Sequence, residues 1–197
     1  MKIENPDFRL PEGGTGKRVL ICEINIAELS VAAMEFNLPN GFDFFEVLIR
    51  DIRLTDDDVT MNMQVGDSTN ELISDNIYNW MMYRSSLAGG EFTSAVDDNR
   101  FALAPTGLAL GIGNDLNEGF NSEVIIHNAW NDRVFFHMSA KSVFMDASVS
   151  TDISHSLIGG GLSVVRQIDR ISFIPSSGNF LSGIFKVYGI TGATGGA

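Results

Sequence analysis

Clusters of turn-forming residues interrupt this chain at spacings of roughly 8 to 15 residues, a rhythm that suits short strands. Pro39-Asn40-Gly41, Asp56-Asp57-Asp58, Gly66-Asp67-Ser68-Thr69-Asn70, Asp97-Asp98-Asn99 and Gly159-Gly160-Gly161 are among them. Between these clusters, Phe42 to Leu54 is a long, mostly apolar run with Phe45, Val47 and Ile49 on one face. Val59, Met61, Met63 and Val65 then alternate with Thr60, Asn62 and Gln64, the pattern of a half-buried strand. Further strands are expected over 77–83, 101–103, 108–112, 123–127, 133–139, 142–149 and 162–168, while 89–97 carries no clear pattern. Val19 to Met34 opens as an apolar run and continues with Ala and Glu, so periodicity alone does not separate helix from strand there. The expected fold is all-β, a jelly-roll-like antiparallel β-sandwich over 19–190, with an extended N-terminal arm at 1–18 and a flexible Gly-rich tail at 191–197.

The closing segment from Ile171 to Ile190 reads as a hairpin. An apolar run, Ile171 to Ile174, is stopped by Pro175 and the cluster Ser176-Ser177-Gly178-Asn179. A second run follows Gly183, with Phe185 and Val187 on one face and Ile184, Lys186 and Tyr188 on the other. Nothing in this segment is catalytic.

With 197 residues the chain suits one domain with an arm, and 44% hydrophobic residues is a globular composition. Twenty-five acidic against thirteen basic side chains give a formal charge of -12, a field that repels phosphate backbones and argues against nucleic acid as the main partner. Cys22 is the single cysteine, so neither an intrachain disulfide nor a zinc cysteine cluster is expected. The first residues, MKIENPDFRLPEGG, have no apolar core of a secretory signal, and no apolar run reaches the ~20 residues of a membrane helix. Membrane insertion is therefore not expected.

The residues that could carry chemistry are sparse. Gly13-Gly14-Thr15-Gly16-Lys17-Arg18 resembles a phosphate loop only superficially, because Pro11 and Arg18 occupy positions where the motif needs glycine and a hydroxyl. His127, His137 and His155 have no metal-ligand spacing, although His127 and His137 fall in adjacent expected strands. Asp56 to Asp58 lacks the alternating oxygens and glycine of a calcium loop. Neither a GxSxG elbow nor an assignable pair of glycosidase carboxylates stands out. No enzyme, no cofactor and no metal are expected. Trp80, Trp130, Tyr78 and Tyr83 are candidates for a carbohydrate platform, with Trp130 in an expected loop between Asn128 and Asp132. In the arm, Phe8 and Leu10 are candidate docking residues for a neighbouring subunit; Asn114 and Trp130 mark candidate exposed binding loops.

The closing segment also carries a resemblance. Ile171-Ser172-Phe173, then Ser176-Ser177-Gly178-Asn179, Ser182-Gly183 and Lys186-Val187-Tyr188-Gly189-Ile190 resemble the C-terminal SSGN…SG…YGI signature of small structural proteins of tailed bacteriophages. Phe45 to Thr69, Glu118 to Ser148 and Gly159 to Gly161 resemble other parts of that family in the same order, so the likeness covers roughly 42–190. The turn at 67–69 departs from the family in lacking a glycine pair. The resemblance implies a non-enzymatic β-sandwich on the virion surface, assembled in the bacterial host cytoplasm. It implies a capsid decoration (cement) protein, or alternatively a tail, fibre or baseplate module that binds host-surface carbohydrate. Its implied partners are the major capsid protein or tail proteins and, as a homotrimer, other copies of itself.

Overall fold

The structure, a computed structural model, describes residues 17–68, 72–86, 89–104, 111–115, 118–145 and 153–192. Twelve strands run through them: β1 (Arg18–Val31), β2 (Met34–Asn37), β3 (Phe44–Leu54), β4 (Met61–Gly66), β5 (Tyr78–Ser86) and β6 (Gly89–Asp98), then β7 (Phe101–Ala104), β8 (Phe120–His127), β9 (His137–Met145), β10 (Ile153–Leu162), β11 (Arg170–Pro175) and β12 (Phe180–Ile190). They make an eight-stranded sheet in the order β1-β12-β3-β8-β9-β10-β5-β6 and a four-stranded sheet in the order β2-β11-β4-β7. Every pairing in both sheets is antiparallel. The fold is an all-β antiparallel sandwich, as the turn rhythm predicts.

Alternation builds the core. Phe45, Val47 and Ile49 of β3 and Phe185 and Val187 of β12 point inward and are fully buried. From the facing sheet, Phe36 of β2 and Phe173 of β11 reach Phe185 at ring-centroid distances of 5.7 and 5.6 Å, and Phe180 meets it edge-on at 5.5 Å. These aromatic contacts join the two sheets through the largest side chains available.

The pairing is nested. β1 pairs with β12, β2 with β11, β3 with β8 and β4 with β7. Two further hairpins, β5-β6 and β9-β10, are inserted between β4 and β7 and between β8 and β11. Both join the larger sheet beyond β8, forming a wing in the order β9-β10-β5-β6.

Several expectations change. β11 and β12 lie in opposite sheets and do not pair, so the closing segment is a crossing between sheets and not a hairpin. Val19 to Met34 is strand, taken up by β1 and the start of β2. The two strands expected over 133–139 and 142–149 are one strand, β9, preceded by loop. Gly159 to Gly161 lie inside β10 and not before a strand, and 165–169 is not strand. The unpatterned 89–97 is β6. Of the expected arm, Arg18 opens β1, while 1–16, including Phe8 and Leu10, lie outside the described residues, as do 105–110 and 193–197.

The SSGN turn is fastened to the turn that leads from β3 to β4, the other nearby crossing between the sheets. Thr55 N–H donates to Asn179 O and Asn179 N–H to Thr55 Oγ1, each at 2.9 Å. Ser176 N–H donates to Thr60 O at 2.9 Å, and Ser176 Oγ accepts from Thr60 N–H at 3.0 Å. Asn179 Nδ2 also donates to Ser30 Oγ at 2.7 Å. Gly178 sits at φ 67° in this clamp, where a Cβ would stand 2.5 Å from Thr55 Oγ1. Gly183, at φ 133°, sits at an irregularity of the β3 pairing where a Cβ would stand 2.9 Å from the Ile52 Cα. Ser176, Gly178, Asn179 and Gly183 of the motif are thus accounted for by chain geometry.

Tyr78 fixes the wing to the smaller sheet. Its hydroxyl donates to Ile73 O at 2.9 Å and accepts from Val65 N–H at 3.1 Å, and its ring meets Phe101 edge-on at 4.8 Å. Burial pushes the phenol up to about 12, against the opposing pull of the Val65 N–H and Arg166 and with a small push from Asp75.

Two consequences are measurable. Gly178→Ala is expected to lower stability by about 1–3 kcal/mol, while the exposed neighbour change Ser177→Ala stays within about 0.5 kcal/mol; equal urea midpoints for the two variants would remove the role given to Gly178. For Tyr78, the raised phenol means that above its unfolded value near pH 10 the unfolded state releases a proton that the folded state keeps to about 12. Its contribution is therefore complete below about pH 10 and lost as pH rises, by up to about 1.4 kcal/mol per pH unit relative to Tyr78→Phe. Parallel pH dependences of the two proteins between pH 9 and 11 would refute this.

Candidate functional site

The loop from Asn128 to Phe136, between β8 and β9, has a shape set by its asparagines. Asn131 Oδ1 accepts from Arg133 N–H at 2.8 Å and Val134 N–H at 3.1 Å, an Asx turn. Asn128, at φ 59°, donates from Nδ2 to Phe135 O at 3.1 Å. Trp130 packs against the core, and its indole N–H donates to Leu38 O at 2.8 Å. The segment before β11 holds it from behind, with Ile168 N–H donating to Ala129 O at 2.6 Å and Leu38 N–H to Asp169 O at 2.7 Å. Burial raises the Asp169 carboxyl above its ordinary value, Arg170 opposes this, and Asp67 adds to it.

In front of this loop lies an open cleft of about 430 Å³, lined by Phe42, Asp43, Asn128, Trp130, Asp132 and Arg133 among others. Asp132 and Arg133 are largely exposed and 3.9 Å apart, too loose and too wet a pair to add stability. Two aromatic side chains beside carboxylate, amide and guanidinium groups offer hydrogen bonds in both directions around an apolar surface. Such a set can hold a neutral polar ligand.

Asn114, the other expected loop residue, is elsewhere. Its Nδ2 donates to Thr55 O at 3.2 Å, just past the end of β3, whereas the Trp130 cleft adjoins the start of that strand. At about 3.3 Å per residue the length of β3 puts the two some 35 Å apart. The Asn114 loop is held by Glu118, whose Oε2 accepts Asp115 N–H at 2.8 Å, and it borders a second cavity of about 320 Å³ that includes Asp51, Arg53, Glu118 and Asn121. The two candidate loops therefore do not form one surface.

The aromatic platform does not assemble. Tyr78 is fully buried, Trp80 turns inward and donates to Asp98 Oδ2 at 3.1 Å, and Tyr83 is on the outer face of the wing, away from Trp130. His127 and His137 do stand directly opposite each other across β8 and β9, and both are exposed. Among the described residues no three of His, Cys, Asp and Glu converge as a cation would require. In the acidic turn, Asp58 Oδ1 accepts Gly111 N–H at 2.6 Å and Asp56 Oδ1 accepts the Thr55 hydroxyl at 3.2 Å, both within the fold. Cys22 is a free thiol, half-buried, and burial pushes it up.

A surface that the sequence reading missed is the outer face of the wing. Phe92 and Val96 of β6, Met81 and Tyr83 of β5 and Leu157 of β10 are all exposed there. The alternation of Phe92, Ser94 and Val96 between Gly89-Gly90 and Asp97-Asp98 was the available signal. No family model matches this chain, and no curated protein matches it either.

Proposed function

We propose that this chain is a non-enzymatic structural component of a tailed-phage virion, a capsid decoration (cement) protein that assembles as a homotrimer on the particle surface. The observation that carries the reading is the placement of the motif on which the resemblance rests. Gly178, Asn179 and Gly183 sit at the crossing between sheets and along β12, where they close the fold. A likeness in those residues is a likeness in architecture. The strand orders 1-12-3-8 and 2-11-4-7, with nested pairs 1/12, 2/11, 3/8 and 4/7, support a jelly roll extended by two hairpins. Jelly rolls serve as capsid and lectin domains, and the fold alone does not choose between these uses.

A second reading has its own observation. The Trp130 cleft combines an aromatic ring with exposed polar side chains, which favours a tail, fibre or baseplate module that binds a neutral host-surface glycan.

Electron cryomicroscopy of the intact particle separates the two. Density over the head lattice in fixed ratio to the shell protein is the expected result; density confined to the tail would overturn the decoration role, and absence from the particle would overturn both. The glycan reading predicts that Asp132→Ala and Arg133→Ala, changes at exposed positions, weaken binding on a glycan array about tenfold or more while thermal unfolding stays unchanged. A folded wild-type protein that binds no glycan on that array would remove the second reading.

A further inference from the structure

Along part of the wing the alternation is inverted, although Tyr78, Met82, Phe144 and Ile158 still point into the core. In β10, Ser154 and Ser156 are buried while Ile153 and Leu157 are 48% and 53% exposed. In β9, Ser142 is buried and Val143 faces outward; in β5, Arg84 is buried while Met81, on the opposite face, is 63% exposed. The buried polar groups are held by hydrogen bonds: Ser122 and Ser142 share one at 2.9 Å, Arg84 Nη2 donates to Ser154 Oγ at 2.9 Å, and Ser156 Oγ donates to Leu103 O at 2.9 Å. The outward apolar residues are in register, with Leu157 opposite Tyr83 and Tyr83 opposite Phe92, whose ring lies 4.8 Å away. No position of β6 is buried on either face, and Phe92 is 80% exposed. Apolar side chains gathered on an open sheet face, with polar ones beneath them, mark a surface that is covered by something else.

We propose that the outer face of β9, β10, β5 and β6 is the surface through which copies of this chain associate. Charge selects the occupant. The outward residues of these strands, from His137 to Met145, Ile153 to Gly161, Asn79 to Ser85 and Gly90 to Val96, include no carboxylate, in a chain that carries 25 acidic side chains and a net charge of -12. A basic partner is drawn to the acidic remainder of the surface. A second copy with the same negative field approaches at least cost where that field is weakest. The size also fits. With strands about 4.8 Å apart and about 3.3 Å per residue, four strands of nine residues span roughly 19 by 30 Å. Pleating and side chains bring that area toward the ~800 Å² per partner of a stable interface.

The inference rests on the homo-oligomeric part of the virion reading and names its surface. The full chain is examined by sedimentation equilibrium from 1 to 100 µM, together with Phe92→Asp, Leu157→Asp and, as a control on the far edge of the same sheet, Leu20→Asp. The expected result is a wild-type oligomer, retained by Leu20→Asp and weakened more than about tenfold by each wing variant, with unchanged circular dichroism. A wild-type monomer across the range would overturn both the homotrimer and this surface. An oligomer that both wing variants retain would overturn the surface alone. The location of density on the particle decides the virion role separately.

Discussion

Two of the chain's crossings between its sheets are held to each other by one clamp. β3 leaves the larger sheet through Thr55 to Thr60, and β11 returns to it through Ser176 to Asn179. The two turns bind each other through the Thr55–Asn179 and Thr60–Ser176 pairs. Each hydrogen bond alone adds about 1 kcal/mol. Their joint effect is larger in consequence, because the two segments are more than a hundred residues apart in sequence and their meeting fixes the register of β3 against β12 and of β4 against β11. With those registers set, the inward faces of Phe45, Val47, Phe173 and Phe185 are committed to one core.

The two halves of the larger sheet then obey different rules. From β1 to β8 the apolar residues point to the facing sheet, which covers them. Beyond β8 the inward positions include Ser142, Ser154, Ser156 and Arg84 among apolar residues such as Met82, Phe144 and Ile158, and hydrogen bonds join these polar groups. Such a seam is neutral for stability at best, since burying a hydroxyl is offset only when its bonds are made. The apolar side chains displaced from that seam are those on the outer face. The two features are one arrangement seen from opposite sides of the sheet.

This arrangement also explains what was legible. β3 and β12 carry their burial in the alternation of the sequence, and the all-β sandwich follows from them, whereas β4, expected to be half-buried, also buries Asn62 between Met61 and Met63. In β10 the alternation is present but its polarity is reversed, and no rule based on apolar-in and polar-out assigns Ile153 and Leu157 to the outside. β6 has no fully buried position, and 89–97 carries no clear pattern of one apolar and one polar face. The closing segment was misread for another reason: turn chemistry at Ser176 to Asn179 says that the chain reverses, but not whether the next strand joins the same sheet or the opposite one. For the cleft, the loop position of Trp130 was readable, whereas its bond to Leu38, 92 residues away, was not. Nor was the separation of Trp130 from Asn114, which depends on which end of β3 each loop adjoins.

The geometry of the chain ends bears on how the proposed roles coexist. Lys17 and Thr191 meet beside the β1 edge, where Thr191 N–H donates to Lys17 O at 3.1 Å and Arg18 pairs with Glu46 at 2.6 Å. β6 is the opposite edge of the same sheet. Seven strand spacings of about 4.8 Å separate them, roughly 34 Å. Lys17 therefore lies at a corner next to the Phe44 and His127 row, four strand spacings or roughly 19 Å from β9, where the wing begins. A particle contact made from that corner and an association of copies through the wing do not compete for surface. The proposed decoration role requires a subunit that holds a lattice with one edge and its neighbours with the other, and two separate surfaces are compatible with it.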